Sequence, residues 1–244
     1  MKVTVKLDRE KNLWRSADLY KRKRRKTYKD VLVLMGLMCI AALCRYVQEA
    51  SAKTVSVENT EKKVAITFDD GPNADYTEEL LAQLKERGVN ATFFLLGKEV
   101  EKYPAIVKEI HEEGHLIGTH AYEHVNLKNL SDKAAVEQVD KTNEAIYEIT
   151  GVYPEYIRPP FGSWKCNLDY ETSMIEVLWD VDPLDWKTSN SDVIAKRVVD
   201  KVQENDIILL HDASESSVKA AIKIIDALEA EGYMFVTVDE ILFD

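Results

Sequence analysis

Two adjacent carboxylates, Asp69 and Asp70, end the apolar run VAITF (64–68) and are followed at once by Gly71 and Pro72. Like charges side by side at the end of a buried strand are costly unless solvent, a cation or a reaction stabilises them. Further along, GTHAYEH (118–124) holds His120 and His124 four residues apart. That spacing puts both imidazoles on one side of a helix or of a strand, because four is near 3.6 and is also even. Two histidines with one carboxylate are a common catalytic zinc set that leaves a position for water. Alone, the histidine pair reads more readily as surface or core residues, and the aspartate pair equally well as an acidic turn capping the next helix. If one carboxylate takes a dication, the second can stay beside it as a base at lower cost.

Three later runs carry similar residues. In YIRPPFG (156–162), Arg158 follows a short strand and precedes two prolines. It is either a surface Arg on a rigid loop or the partner that keeps a carboxylate ionised. WDVDPLDW (179–186) sets Asp180, Asp182 and Asp185 between Trp179 and Trp186, a mixture found at sugar-binding walls and also around a buried Trp. IILLHD places His211 directly after an apolar strand. A lone His there packs more often than it reacts, but a carboxylate such as Asp185 nearby would raise its pKa and make it a competent acid. His111 and His115, in the charged stretch IVKEIHEEGH (106–115), have no partner in sequence and receive no role.

The elements that must position these residues alternate. Strand-like runs fall at 64–68, 91–96, 116–118, 156–157, 177–181, 207–210 and 234–238. Helical patterns lie between most of them: 77–87 stopping at Gly88, 131–151 opening on Ser131 and closing on Gly151, 191–205 opening on Ser191, and 217–232. Strands separated by such helices imply parallel βα units, in an open doubly wound sheet or a pruned (β/α) barrel of about seven strands. Both architectures put active sites at the C-terminal ends of strands. The apolar runs end at Asp69-Asp70, His120, Arg158, Asp182 with Asp185, and His211.

Charge divides the chain. Residues 1–52 carry 13 Lys+Arg against 5 Asp+Glu, whereas residues 53–244 carry 19 against 38. So acidic a body argues against a nucleic-acid partner, which needs a basic surface. The basic block KRKRRKTYK (21–29) precedes the uncharged run VLVLMGLMCIAALC (31–44), the pattern of an export signal with its basic side retained in the cytoplasm. ASA at 50–52 has the form of a cleavage site, but a 52-residue leader exceeds the usual length of roughly 15–30 and favours an uncleaved anchor. The expected organisation is a cytoplasmic basic region (1–30), a signal-anchor or signal peptide (31–48), a linker (49–62) and an extracytoplasmic domain (63–244), secreted if the chain is cut after Ala52. Cys166 is alone in that domain, so no disulfide framework forms within it.

In order, TFDDGP, H-x3-H, RPPFG, DPLDW and LLH resemble the five motifs of the polysaccharide deacetylases of carbohydrate esterase family 4, the NodB-homology domain. The resemblance covers residues 63 to about 244 and is strongest to peptidoglycan N-acetylglucosamine deacetylases. It implies a distorted (β/α) barrel. It also implies that Asp69 is the general base and that Asp70, His120 and His124 hold Zn²⁺ or another divalent ion (Co²⁺, Ni²⁺ or Mn²⁺). Arg158 would pair with the base and the Phe161 N–H would meet the oxyanion. His211 would be the acid, oriented by Asp185, with Trp186 and Leu209 shaping a slot for the acetyl methyl group. The implied reaction is metal-dependent removal of N-acetyl groups from an N-acetylated glycan in the cell envelope. The alternatives are an O-acetyl esterase on xylan or another polysaccharide, and a non-catalytic glycan-binding module. The complete acid–base set argues against the module. Ala121 stands where Ser or Thr usually follows the first metal His, which removes a hydroxyl that would brace the loop. Val125 replaces a frequent Pro, and Phe161 a frequent Tyr.

Overall fold

A computed structural model describes residues 62–243 apart from Cys166, together with a few helical positions between residues 35 and 45. The basic N-terminal region, most of the apolar run, the 50–52 site and the linker lie outside the described residues. Among the described residues, no helix is long and apolar enough to cross a membrane. The chain divides into two compact units, and the second, Glu61–Asp244, contains every candidate site residue.

Seven strands, all paired in parallel, form one sheet: β1 (Lys62–Asp69), β2 (Thr92–Leu95), β3 (Leu116–Thr119), β4 (Tyr156–Ile157), β5 (Ile175–Glu176), β6 (Ile207–His211) and β7 (Tyr233–Val236). The main path runs β5-β4-β3-β2-β1-β6. Ala65 is in register with both Ile207 and Val236, and Thr67 with both Leu209 and Thr92. One edge of β1 therefore belongs to β6, while β7 and β2 share the other, one after the other. β1 begins at Lys62, so Lys62 is sheet and not linker: Lys62 and Lys63 pair with Tyr233 and Met234.

The barrel is open, a half-barrel whose outer strands are β5 and β6. The run 177–181, strand-like in sequence, is not a strand. Val177 still donates to Ile157 O (2.8 Å), but Val181 has already changed partner and bridges Ile208, with Leu209 donating to Val181 O at 3.0 Å. Because it passes from β4 to β6 within five residues, the segment cannot run in register with either, and it spans the opening instead.

Alternation along the strands sorts two layers. Val64, Ile66 and Phe68 of β1 pack outward with the helices, whereas Ala65 belongs to an inner cluster with Phe94, Tyr156, Val177 and Ile207. Thr67 and Asp69 share the inner face of Ala65. With both faces buried, these strands read as continuous apolar runs. Gly118 leaves room inside: a Cβ there would stand 2.5 Å from the Phe94 ring.

The helices are α1 (Thr77–Arg87), α2 (Gly97–Lys102), α3 (Pro104–Glu112), α4 (Asp132–Thr150), α5 (Leu168–Thr172), α6 (Ser191–Val199), α7 (Glu215–Ala230) and α8 (Val238–Leu242). α1 stops at Gly88, and α4 opens on the Ser131 cap and stops at Gly151, as the sequence predicts. Two starts differ. Asn190, not Ser191, caps α6 by accepting from Asp192 and Val193 N–H, and this helix ends at Val199. α7 begins at Glu215 on a Ser214 cap, two residues before the expected start at Ser217.

Candidate active site

Asp69 ends β1 with its side chain almost closed off from solvent, and Arg158, just after β4, is 0% exposed. Arg158 Nη1 donates to Asp69 Oδ1 (2.8 Å) and to Thr67 Oγ1 (2.6 Å). Its Nε and Nη2 donate to the carbonyls of Val177 and Leu178, the segment that spans the barrel opening. The guanidinium also lies 4.2 Å from the centre of the Phe94 ring. Burial draws the Arg158 pKa down and the Asp69 charge opposes it. A buried cation is tolerated here because all of its nitrogens are engaged and its counter-charge is in contact.

Asp70, His120 and His124 converge beside this pair, with potential ligand atoms all within 4.8 Å of one another. His120 Nε2 and His124 Nε2 each lie 3.5 Å from Asp70 Oδ1. Donors 2.0–2.1 Å from a tetrahedral zinc ion stand about 3.3 Å apart. Asp70 Oδ1 is buried without a hydrogen-bond partner, an orphan that a cation would satisfy. His120 Nδ1 contacts Arg158 O at 2.5 Å, which leaves Nε2 free to ligate. Burial lowers the His120 pKa and favours the neutral, ligating ring, with Asp69 and Asp70 acting in the opposite sense. The residues present fit a divalent metal.

The loop that carries the two histidines is braced without a hydroxyl at Ala121. Gly97 donates to Ala121 O and Lys98 to Tyr122 O, while Tyr122 and Glu123 N–H both donate to Gln138 Oε1. Phe161 adds a second support, its ring set edge-on to His124 at 4.6 Å. The Phe161 N–H is unpaired among the described residues. Asp70, Ala121, His124, Phe161 and Leu184 all have positive φ. At non-glycine residues each such conformation costs roughly 1–3 kcal/mol and persists only when its surroundings impose it.

His211 ends β6 on the other side of the triad. Its Nδ1 lies 2.8 Å from Asp185 Oδ1, its backbone N–H donates to Asp185 Oδ2 (2.9 Å), and Nε2 is 4.0 Å from Asp70 Oδ2. Burial disfavours the imidazolium, but the hydrogen bond and charge of Asp185, followed by Asp69 and Asp70, push His211 up to about 9. Asp185 itself is held below its ordinary value, the His211 contacts outweighing burial. Asp69, Asp70, His120, His124, Asp185 and His211 open on one cleft of about 830 Å³, walled by Phe161, Trp179, Trp186 and Leu209. Asp182 lines it too, whereas Asp180 is occupied elsewhere, accepting from Ile207 N–H.

Three contributors were not read from the sequence. Thr67 joins Arg158 to Ile208 O, and its position two before Asp69 on the same strand face was an available signal. Ser217 donates to Asp185 Oδ2 (2.8 Å). Asp212, next to His211, is buried and pushed up to about 7 chiefly by that burial. His115 also has a partner in the fold: its Nδ1 accepts from Ala91 N–H at 3.1 Å.

The chain is similar to known proteins of one family. The family model for polysaccharide deacetylases matches residues 56–177. The peptidoglycan-N-acetylmuramic acid deacetylase PdaC of Bacillus subtilis is 39% identical over 78% of this chain and 40% of its own length. Its solved structure superposes with a TM-score of 0.73 over 76% of this chain and 92% of that one. The peptidoglycan-N-acetylglucosamine deacetylase PgdA of Listeria monocytogenes is 36% identical over 75% of this chain and 39% of its length. The match thus spans about two fifths of these relatives. A pseudoenzyme of carbohydrate esterase family 4 from Bacillus anthracis is also similar, at 31% identity and a TM-score of 0.70 over 75% of this chain and 66% of that one. The family model, the fold and the level of identity to these relatives agree, and the chain belongs to the polysaccharide deacetylase family.

Proposed function

We propose that this chain hydrolyses N-acetyl groups of an N-acetylated glycan, peptidoglycan N-acetylglucosamine foremost, releasing acetate and leaving a free amine. The observation that carries the reading is the convergence on one ligand triad of Asp69, paired with Arg158, and His211, paired with Asp185. A divalent ion held by Asp70, His120 and His124, Zn²⁺ or in its place Co²⁺, Ni²⁺ or Mn²⁺, supplies Lewis acidity at the acetyl carbonyl and acidifies a water. Asp69 removes the proton of the attacking water through Oδ2, the oxygen not engaged by Arg158 and 3.9 Å from His120 Nε2. The Phe161 N–H donates to the carbonyl oxygen as charge develops there. His211 gives its Nε2 proton to the sugar nitrogen, which cannot leave as an anion near neutral pH. Asp185 keeps Nδ1 of His211 as the donor to itself, so that Nε2 faces the substrate. Leu209 and Trp186 flank the acetyl methyl group.

The similarity to the B. subtilis enzyme favours a second reading, in which the acetyl group belongs to N-acetylmuramic acid. An O-acetyl ester leaves with far less need of a proton, so dependence of the rate on His211 separates amide from ester chemistry. A glycan-binding module has no use for an acid–base pair. The reading places the domain outside the cytoplasm, anchored through residues 31–48 or secreted if cut after Ala52.

The test is acetate release from peptidoglycan, chitin oligomers and acetylated xylan, with and without chelator. Metal-dependent acetate from an N-acetylated substrate is expected, and its absence from all of them sinks the reading. Amine mapping of digested peptidoglycan then distinguishes glucosamine from muramic acid. Asp69→Asn should keep the metal and lose turnover, whereas loss of metal would show that the two aspartates have exchanged roles.

A further inference from the structure

We propose that Asp212 is a positioning residue for Asp70, holding the turn that presents this ligand to the metal. The inference rests on the metal-dependent reading above. Asp212 follows His211 at the end of β6 and is 1% exposed. Its Oδ2 accepts from the Thr77 hydroxyl. Thr77 Oγ1 in turn accepts from Asn73 N–H at 2.7 Å. The other oxygen, Oδ1, is buried with no hydrogen-bond partner. An unsatisfied buried polar atom is expensive to keep, and the contacts of this carboxyl suggest what it does there.

Those contacts are with the turn after Asp70. A Cβ on Gly71 would stand 2.5 Å from Asp212 Oδ2 and 2.8 Å from Oδ1, so the carboxyl lies directly against the backbone that follows the ligand. Only glycine fits at 71 while Asp212 is in place. Asp70 itself sits at φ 73, a conformation that a non-glycine residue keeps only under restraint. Several contacts restrain the turn. Leu96 donates to Gly71 O at 3.0 Å, Asn73 is tied through Thr77 to Asp212, and Asp212 packs on Gly71. Two of these run through Asp212, while Thr77 N–H also donates to Asn73 O at 3.0 Å without it. Its own position is fixed by β6, where Leu210 and His211 are in register with Phe68 and Asp69. Asp212 thereby ties the turn that bears the metal ligand to the strand that bears His211.

The experiment is zinc titration by calorimetry on the chelator-stripped full chain, with thermal unfolding of each metal-free protein recorded alongside. Asp212→Ala removes both the packing on Gly71 and the acceptor for Thr77, and Thr77→Val removes the hydroxyl that joins Asp212 to Asn73 N–H while leaving the Thr77 N–H to Asn73 O bond in place. Each is expected to weaken zinc binding about 10–100-fold, the usual effect of losing a group that orients a ligand. Asp212→Asn keeps an oxygen for Thr77 and is expected to stay within a few-fold of the parent. Zinc affinity unchanged in both Asp212→Ala and Thr77→Val overturns the inference, as does an Asp212→Asn protein as weak as Asp212→Ala. If Asp212→Ala does not fold, Thr77→Val decides. A parent chain that binds no divalent ion would instead overturn the metal reading itself.

Discussion

Asp69 and His211 are register partners on adjacent parallel strands, β1 and β6. The groups proposed as base and acid are therefore spaced by the sheet ladder itself, with strands roughly 4.8 Å apart, and not by a loop. Each then leans on its own buried partner, Arg158 or Asp185.

The Asp69–Arg158 pair should be coupled in stability. Arg158→Ala leaves a buried carboxylate without its cation and is expected to cost about 3–5 kcal/mol. Adding Asp69→Asn should recover part of that loss, because a neutral amide needs no counter-charge. Urea unfolding of the metal-free single and double variants measures it, and strictly additive losses would show the two to be independent.

Asp185→Asn should move the alkaline limb of activity downward. His211 titrates near 9 because Asp185 overrides the effect of burial. As pH rises through that value the acid is lost and the rate falls. Without the Asp185 charge the same fall should begin at lower pH, while the acidic limb stays in place. A pH–kcat/KM profile of both proteins reads the shift, and an unmoved alkaline limb would remove His211 from the role of acid.

Stability should decline in mild acid through His115. Its pKa is lowered to about 4, chiefly by burial, against an ordinary 6.5. Between those values the unfolded chain binds a proton that the native state does not, so stability is complete above pH 6.5 and falls toward pH 4. The contribution is of order 3 kcal/mol. His115→Asn, an amide without a titrating proton, should flatten the dependence of the urea midpoint over that interval. An unchanged slope would assign the loss to other groups.

Trp186→Ala should separate binding from folding. Trp186 lines the cleft yet is 63% exposed. Its removal is expected to shift stability by no more than about 0.5 kcal/mol. KM on the glycan should rise severalfold with kcat retained. A fall in kcat at constant KM would show that the ring beside the acetyl methyl group acts on the reaction step and not on binding.

The strand-end residues were legible because a polar side chain at the end of a doubly buried strand contrasts with the apolar run before it. Asp69, His120, Arg158 and His211 all stand out in this way. The supporting residues do not. Thr67, Ser217 and Asp212 are ordinary polar residues whose importance lies in what they touch across 32 to 141 positions of sequence. The run 177–181 reads as a strand in sequence, but only Val177 and Val181 at its two ends are buried while Leu178 is exposed, and local periodicity cannot tell two anchored ends from continuous pairing. The α6 cap was misplaced by one residue because Asn190 and Ser191 are both good caps, and only the fold shows which side chain turns back on the helix.

The central place of β1 has a consequence for how the chain reaches this state. Its ladder partners include β6 and β7, and Thr67 reaches Ile208 across 141 residues of sequence. Contacts of such range close late and make folding slow. Until residues 207–236 are available, one edge of β1 has no neighbour and Asp69 has no His211 beside it. Synthesis of the first strands alone cannot lock the domain shut, so the reactive centre comes into being only when the last strands join β1.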